Sequence, residues 1–177
     1  MGGLPDNPTL MHRKPPLAAQ GEPRARSGSG ELTVLRFSEV DQHLPKGQPG
    51  LYEIWTLSGT PLKVGIAADL RQRLCDHRAS RQKRLQLNNG GSWSRPEDVK
   101  SKQSILAKHL YFDQEITGDY DLASEAGRRA FLEDCCEVRV HPTATCEEAR
   151  ELEKQREATG LFRYRGRVRA RPQRAAR

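Results

Sequence analysis

Four polar side chains are spaced so that two neighbouring elements would bring them together. Tyr52 and Lys63 lie in two apolar runs, GLYEIWT and PLKVGIA, that are typical of a β-hairpin with SGTP at its turn. Arg73 and His77 are four residues apart, so they share one face of the helix that begins after Asp69. A phenol, an ammonium, a guanidinium and an imidazole on adjoining surfaces form a polar pocket suited to binding an anion and transferring a proton.

The turn of this hairpin predicts which residues face each other. With a two-residue turn at Gly59 and Thr60, glycine standing at the first central position, Tyr52 and Lys63 project from the same face of the sheet. Small residues beside the tyrosine then leave space for the pocket. The predicted pairs are Thr56 with Lys63, Ile54 with Gly65, and Tyr52 with Ala67.

Hydrophobic spacing predicts the two helices that follow the hairpin. Asp69 is a suitable N-cap, and Leu70 and Leu74 begin the buried stripe of the first helix. Residues 87–98 have the composition of a loop. The segment VKSKQSILAKHLYFD, which starts at residue 99, carries apolar residues at helical spacing and is predicted to form the second helix.

The last third of the body predicts a further helix, a strand and a capped helix. Residues 122–134 are expected to be helical, and residues 135–140 alternate as a third strand does. The final helix begins at the capping residue Thr145 and ends at Gly160. Glu153 lies at the border of its thin apolar stripe. The expected fold is a small α/β domain with a three-stranded, antiparallel-type sheet flanked by helices, in the order ββαααβα.

Positive charge is concentrated at the C-terminal end. The chain of 177 residues has a net charge of +7, and residues 163–177 hold seven arginines and no acid. We therefore expect a flexible basic tail that contacts nucleic acid, with a merely solvated tail as the alternative. The arginines predicted to contact nucleic acid are Arg71, Arg78, Arg81, Arg84, Arg163, Arg165, Arg167 and Arg169.

Composition limits the class of protein. With 35% hydrophobic and 30% charged residues and a mean hydropathy of -0.81, we expect one domain with loose ends. Residues 1–30 would be a disordered leader and residues 31–162 the domain. No apolar run reaches the roughly 18 residues of a membrane span, so a cytoplasmic protein without a membrane partner is predicted. The four cysteines lack disulfide or zinc spacing and are expected to be reduced.

Two segments resemble the GIY-YIG nuclease family. GLY at residues 50–52 is similar to the GIY element, and KVGIAADLRQRLCDH at residues 63–77 is similar to the YIG element with its following helix. The glutamate in ARELEKQ resembles the acidic residue of a later helix in the family. The resemblance covers residues 48–162 and implies the small α/β fold of that family.

The resemblance also implies roles for the candidate residues. Tyr52 would activate or position the attacking water, and Arg73 would contact the scissile phosphate. His77 would assist in proton transfer or phosphate binding. Glu153 would hold one divalent cation, Mg²⁺ or Mn²⁺, because magnesium keeps most of its water and needs few protein ligands.

Some assignments leave alternatives open. Glu151 and Glu157 compete with Glu153 for the metal. Lys63 stands where the family has the tyrosine of YIG, and there it would lower the pKa of the Tyr52 phenol or bind phosphate. Aromatic residues outside the motifs are assigned to the core or its rim, namely Trp55, Trp93, His109 and Tyr111.

The predicted function is metal-dependent endonuclease activity on nucleic acid, with DNA favoured over RNA. Because Lys63 replaces a tyrosine and GLFRYRG has no asparagine where many family members have one, the alternative is a non-catalytic nucleic-acid-binding protein with the same fold. A third interpretation, a protein-binding adaptor that uses residues 87–134, has no positive signal in the sequence.

Overall fold

The computed structural model describes residues 30–79, 85–101, 105–166 and 168. The strands are Thr33–Arg36 (β1), Gly50–Thr56 (β2), Pro61–Ala67 (β3), Leu85–Leu87 (β4), Val99–Ser101 (β5) and Cys136–Pro142 (β6). The α-helices are Val40–His43 (α1), Leu70–Arg78 (α2), Ile105–Phe112 (α3), Gln114–Thr117 (α4), Glu125–Cys135 (α5) and Cys146–Ala158 (α6). No helix within these ranges is long and apolar enough to cross a membrane.

The main sheet has four antiparallel strands in the order β1-β6-β2-β3. The prediction of a mixed α/β fold is confirmed, but the prediction of three strands is wrong. The missing strand is β1, which pairs with β6 from Thr33 opposite Val140 to Arg36 opposite Glu137. Its four residues are half exposed and directly follow a Pro-, Gly- and Ser-rich segment, so no clear alternation marks them as a strand.

The predicted register of the β2–β3 hairpin is wrong by two residues. Tyr52 faces Gly65 rather than Ala67, and Lys63 faces Ile54. Because the side-chain period of a strand is two, this shift leaves every residue on the face that was predicted. Tyr52 and Lys63 therefore share a face of the sheet, as diagonal neighbours.

The turn explains the shift, because it is longer than a two-residue turn. The Thr56 carbonyl accepts a hydrogen bond from Gly59 N at 2.9 Å, and its amide donates to Thr60 O at 2.9 Å. The Thr56 hydroxyl also accepts from Thr60 N at 2.9 Å. An irregularity between Ile54 and Trp55 absorbs the extra residue. Gly59 has φ +88°, a conformation that favours glycine.

Two predicted helices begin later than expected. Residues 99–101 form β5, which pairs with β4 in a separate two-stranded sheet, so α3 starts at Ile105. The α5 helix starts at Glu125, because the Ser124 hydroxyl caps it by accepting from Gly127 N at 3.0 Å. With these additional strands the predicted order of elements is not confirmed.

The two faces of the main sheet are covered differently. One face carries Tyr52, Ile54 and Val140, and it packs under α2, α3 and α5 to form the main core. The other face carries Leu51 and Val64 and packs under α6. Burying each such aliphatic side chain contributes about 1.5–3 kcal/mol, which holds the helices against the sheet.

A short segment after α6, residues 161–166, wraps around the free edge of β3, and we call it the C-terminal clasp. Phe162 packs on the α6 face against Trp55, with ring centroids 6.1 Å apart. Arg163 N and Tyr164 N donate to Pro61 O and Leu62 O at 3.0 and 2.8 Å. Tyr164 is buried in the main core on the opposite face. The folded chain thus continues past residue 162, where the predicted domain ends.

Candidate active site

The Tyr52 hydroxyl is the centre of a buried polar cluster. Its side chain is 1% exposed and lies across β3 at Gly65. A Cβ atom at residue 65 would lie 2.6 Å from the Tyr52 hydroxyl, so only glycine lets the phenol occupy this place. The hydroxyl lies 2.9 Å from His77 Nε2 and accepts a hydrogen bond from Arg73 Nε at 3.4 Å.

The α2 helix places Arg73 and His77 over the tyrosine. The Asp69 carboxylate caps the helix by accepting from Gln72 N at 2.9 Å, and its second oxygen accepts from Gly47 N at 2.9 Å. Leu70 and Leu74, fully buried, orient the helix against β2, as the sequence predicts. His77 is 2% exposed, whereas Arg73 is half-buried. The predicted shared face of Arg73 and His77 thus contacts Tyr52 directly.

The pKa of the Tyr52 phenol is raised, contrary to the expected effect of nearby cations. Burial is the largest cause, because it disfavours the phenolate. The charge and the hydrogen bond of Arg73 oppose this rise without cancelling it, and the Glu153 carboxylate adds to it. Tyr52 is therefore a neutral hydrogen-bonding group at neutral pH.

Lys63 and Glu153 act on the same cluster from β3 and α6. Burial lowers the pKa of the Lys63 ammonium, and the like charge of Arg73 lowers it further, while Glu153 and Glu157 oppose the shift. Burial raises the pKa of Glu153, and the neighbouring Glu157 adds to this rise. Charged and polar side chains from four elements therefore interact at one site, and these elements are β2, β3, α2 and α6.

The fit to a divalent cation depends on Glu153. Among the described residues no group of three His, Cys, Asp or Glu side chains is arranged to hold a metal ion. A single half-buried carboxylate suits magnesium, which keeps most of its water. Glu157 lies one helical turn further along α6, and its charge repels that of Glu153. A cation bound at Glu153 would relieve this repulsion, so the residues present fit such an ion.

His109 is a neighbour of the site whose role the sequence did not identify. Its ring stacks on Tyr164 with centroids 4.8 Å apart, and it is buried on α3. Burial lowers the pKa of His109 to about 4, and the Lys63 charge contributes to this shift. The histidine therefore stands between Lys63 and the C-terminal clasp. The sequence predicted only that His109 belongs to the core or its rim, because it lies in the apolar stripe of α3. The structure shows that it is a core residue as well as a neighbour of the site.

The eight arginines predicted to contact nucleic acid fall into three groups. Arg78 pairs with Asp41 and donates to Phe37 O at 3.2 Å, and Arg71 Nε lies 3.7 Å from the same aspartate. Arg81, Arg84, Arg167 and Arg169 lie outside the described residues. Arg163 and Arg165 belong to the clasp.

Within the clasp both arginines bind groups of the protein itself. Arg163 donates to Asp113 Oδ1 at 2.8 Å and to Glu115 Oε2 at 2.6 Å. Arg165 donates to the backbone carbonyls of Phe162, at 2.9 Å, and Gly160. Arg163 thus ties the clasp to the start of α4, and Arg165 ties it to the end of α6.

Comparison of the chain with family models, with curated proteins and with solved structures finds no match.

Proposed function

We propose that the chain is a GIY-YIG-like, metal-dependent endonuclease that hydrolyses phosphodiester bonds of nucleic acid, with DNA favoured over RNA. The observation that supports this most is the contact of the Tyr52 hydroxyl with His77 and Arg73, beside Lys63 and Glu153. The four cysteines are free thiols, which suits the cytoplasm, where we place the protein.

Arg73 and Lys63 provide the positive charge that phosphodiester cleavage requires. The pentacovalent centre is a dianion, and a guanidinium stabilises it with donors in a fixed geometry. Arg73 is half-buried and donates to the Tyr52 hydroxyl, so a phosphate drawn to its exposed side comes to rest beside the tyrosine. Lys63, on the same face of the sheet, adds a second cation.

Tyr52 and His77 position the water and accept its proton. Because the pKa of Tyr52 is raised, the phenol acts as a relay rather than as a phenolate base. As the water oxygen bonds to phosphorus, the water proton passes to the Tyr52 oxygen, and the phenol proton passes to His77 Nε2, 2.9 Å away. The phosphorus bond to the leaving oxygen breaks, and that oxygen takes a proton from solvent.

Glu153 would hold one Mg²⁺ or Mn²⁺ ion, with water completing its coordination. When bound, such an ion supplies Lewis-acid stabilisation of the phosphate oxygens. Glu153 is near enough to Lys63 and Tyr52 for their charges to interact, so an ion held there would act on the same phosphate.

A second candidate function is binding of nucleic acid without cleavage. The observation that favours it is the 1% exposure of Tyr52, which leaves its hydroxyl little access to a water molecule. Lys63, in the place of the family's tyrosine, would then serve only to bind phosphate.

One assay separates these candidates. Purified protein is incubated with single-stranded, duplex and branched DNA and with RNA, each with magnesium, manganese or a chelator, and both binding and product length are measured. Cleavage that stops on chelation is the expected result. Binding of every substrate without cleavage would favour the second candidate, and neither binding nor cleavage would contradict both.

A further inference from the structure

One exposed aromatic side chain stands apart from the candidate active site. Trp93, on the loop between β4 and β5, is 40% exposed, and within the described ranges it is the one large aromatic side chain on the surface. Indole surface left in water is unfavourable by roughly 25 cal/mol for each Å² of apolar area. Its exposure therefore calls for an explanation.

The loop holds Trp93 in a fixed position. The Asp98 carboxylate accepts a hydrogen bond from Ser92 N at 2.8 Å and pairs with Arg95 Nη2 at 2.8 Å. The residues before and after Trp93 in the chain are therefore bound to one aspartate. Gly91 allows this contact, since a Cβ there would lie 2.8 Å from the Asp98 Cβ. The Ser92 hydroxyl also accepts from Ser94 N at 3.2 Å. A side chain fixed in this way loses little conformational freedom when it binds a ligand.

The indole is supported from the protein side. Tyr111 on α3 meets Trp93 at an interplanar angle of 62°, with ring centroids 5.8 Å apart. Tyr111 in turn packs on Phe112, 4.9 Å between centroids, and on a small core that includes Leu85 and Val99. Trp93 is thus the outermost ring in a series of edge-to-face aromatic contacts that is anchored in this core.

Three cationic side chains belong to the elements next to this aromatic surface. Arg95 lies two residues after Trp93 and its side chain is 59% exposed, and Lys100 is exposed on β5. Lys108 precedes Tyr111 by three residues and so shares its face of α3. The neighbouring acids are Glu97, whose charge acts on Lys108, and Asp98, which is bound to the loop and to Arg95. The charge of Asp121 acts on Tyr111. A ligand that joins a flat ring to an anion fits this combination.

We propose that Trp93 stacks on an unpaired base of single-stranded nucleic acid, with Arg95 and Lys108 facing the adjoining phosphates. Bases in a duplex are already stacked on their neighbours, so the surface would select single strands or branch points. The inference rests on the proposed function for the identity of the ligand. It deepens that function, because α3 also carries His109, whose pKa is affected by the charge of Lys63, so the Trp93 surface and the candidate active site adjoin the same helix.

Fluorescence tests the stacking directly, because the chain has two tryptophans. In a Trp55→Phe variant Trp93 is the only indole, and its emission is followed during titration with a single-stranded DNA of roughly 12 nucleotides and with the matching duplex. We expect quenching by the single strand and little change with the duplex. In the reciprocal Trp93→Phe variant, the emission of Trp55 should not be quenched by the single strand. If Trp55→Phe does not fold, comparison of this variant with the original protein isolates the emission of Trp93.

Affinity provides the second measurement, by anisotropy of the labelled single strand. Trp93→Ala should weaken binding roughly 5- to 150-fold, and Trp93→Phe should retain most of the affinity. Unquenched Trp93 emission while the strand binds, equal quenching by the duplex, or unchanged affinity of Trp93→Ala would overturn this inference and leave the proposed function standing. Failure of both oligonucleotides to bind would overturn both.

Discussion

Tyr52 and Glu53 are adjacent residues of β2, yet their side chains enter opposite faces of the sheet and two different polar clusters. Both side chains are almost completely buried, at 1% and 4% exposure. The clusters differ in whether their charges are neutralised within the fold. Buried charges that are neutralised within the fold stabilise it, whereas charges that are not neutralised are available to act on a ligand.

The Glu53 cluster is closed. Its carboxylate pairs with Arg156 Nε at 3.0 Å and accepts from Trp55 Nε1 at 2.9 Å. His141 Nε2 lies 3.7 Å from the same carboxylate. Arg156 balances the Glu53 charge and ties α6 to the sheet, while Glu53 Oε1 and His141 Nε2 are buried and make no hydrogen bond within the described residues.

The Tyr52 cluster is open. Among the described residues, neither Lys63 nor Arg73 has an ion-pair partner. The charge of Arg73 lowers the pKa of Lys63, and the more distant Glu153 and Glu157 oppose that shift. Glu153 is half-buried beside them. Cations without a direct ion-pair partner, next to a buried phenol, are the property that supports an active site here rather than at Glu53.

After the loss of Glu153, which is treated last, removal of Arg73 should have the largest effect on cleavage. Arg73→Ala should lower the rate of cleavage roughly 10²–10³-fold, because one fixed donor to the transition-state charge is lost. Arg71→Ala, two residues away on the same helix, should change the rate by a small factor at most. Single-turnover cleavage of both variants measures the difference, and an equal loss in both would contradict a specific role for Arg73.

Acid should destabilise the protein through His109. Its folded-state pKa of about 4 is below the ordinary value, so between about pH 6.5 and pH 4 the unfolded chain binds a proton that the folded chain does not. The free energy of unfolding should therefore fall by roughly 2–3 kcal/mol as pH decreases through this window. Urea unfolding at a series of pH values measures the fall. His109→Gln should remove most of it, and an unchanged pH dependence would refute the assignment.

Breaking the closed cluster should cost stability without affecting chemistry. Glu53→Ala leaves Arg156 and His141 without their acid and should reduce the free energy of unfolding by about 1–3 kcal/mol. This loss is smaller than that for a fully buried ion pair, because Arg156 is half-exposed. Cleavage per folded molecule should stay near the original rate. Denaturant unfolding and single-turnover kinetics together test this, and a large loss of rate in folded protein would place Glu53 in the site.

The basic tail should alter salt dependence more than cleavage. Deletion of residues 167–177 removes five arginines but keeps the clasp, so the log-log salt slope of duplex binding should become less steep by at most roughly 4–5. Deletion of residues 163–177 also removes Arg163 and the buried Tyr164, and should lower stability. Binding across a salt series and thermal unfolding separate the two deletions. Equal slopes for full-length and shortened protein would show that these arginines do not engage phosphates.

The sequence was sufficient for the local parts of the fold. The caps at Asp69 and Thr145 and the stripe at Leu70 and Leu74 were predicted because each depends on residues within one or two turns. The Tyr52 and Lys63 face was predicted from the period of two, which survives a shift of two residues.

Long-range features were not available from the sequence. β1 forms only because β6 offers it an edge about a hundred residues away in the chain. The clasp was assigned to a charged tail, since its arginines gave no sign that Asp113 and Glu115 would pair with Arg163. The rise in the pKa of Tyr52 depends on how deeply the strand is buried, which periodicity cannot give.

The most direct test of the account compares Glu153→Gln with Glu151→Gln. Both glutamates are on α6, but Glu151 is exposed and pairs with Lys154 at 2.7 Å, whereas Glu153 interacts with Lys63 at the site. The measurement is magnesium-dependent cleavage at saturating protein, with nucleic-acid binding and the thermal midpoint as controls. We predict that Glu153→Gln abolishes cleavage and leaves binding and folding nearly intact, while Glu151→Gln cleaves normally. Undiminished cleavage by folded Glu153→Gln would contradict the account.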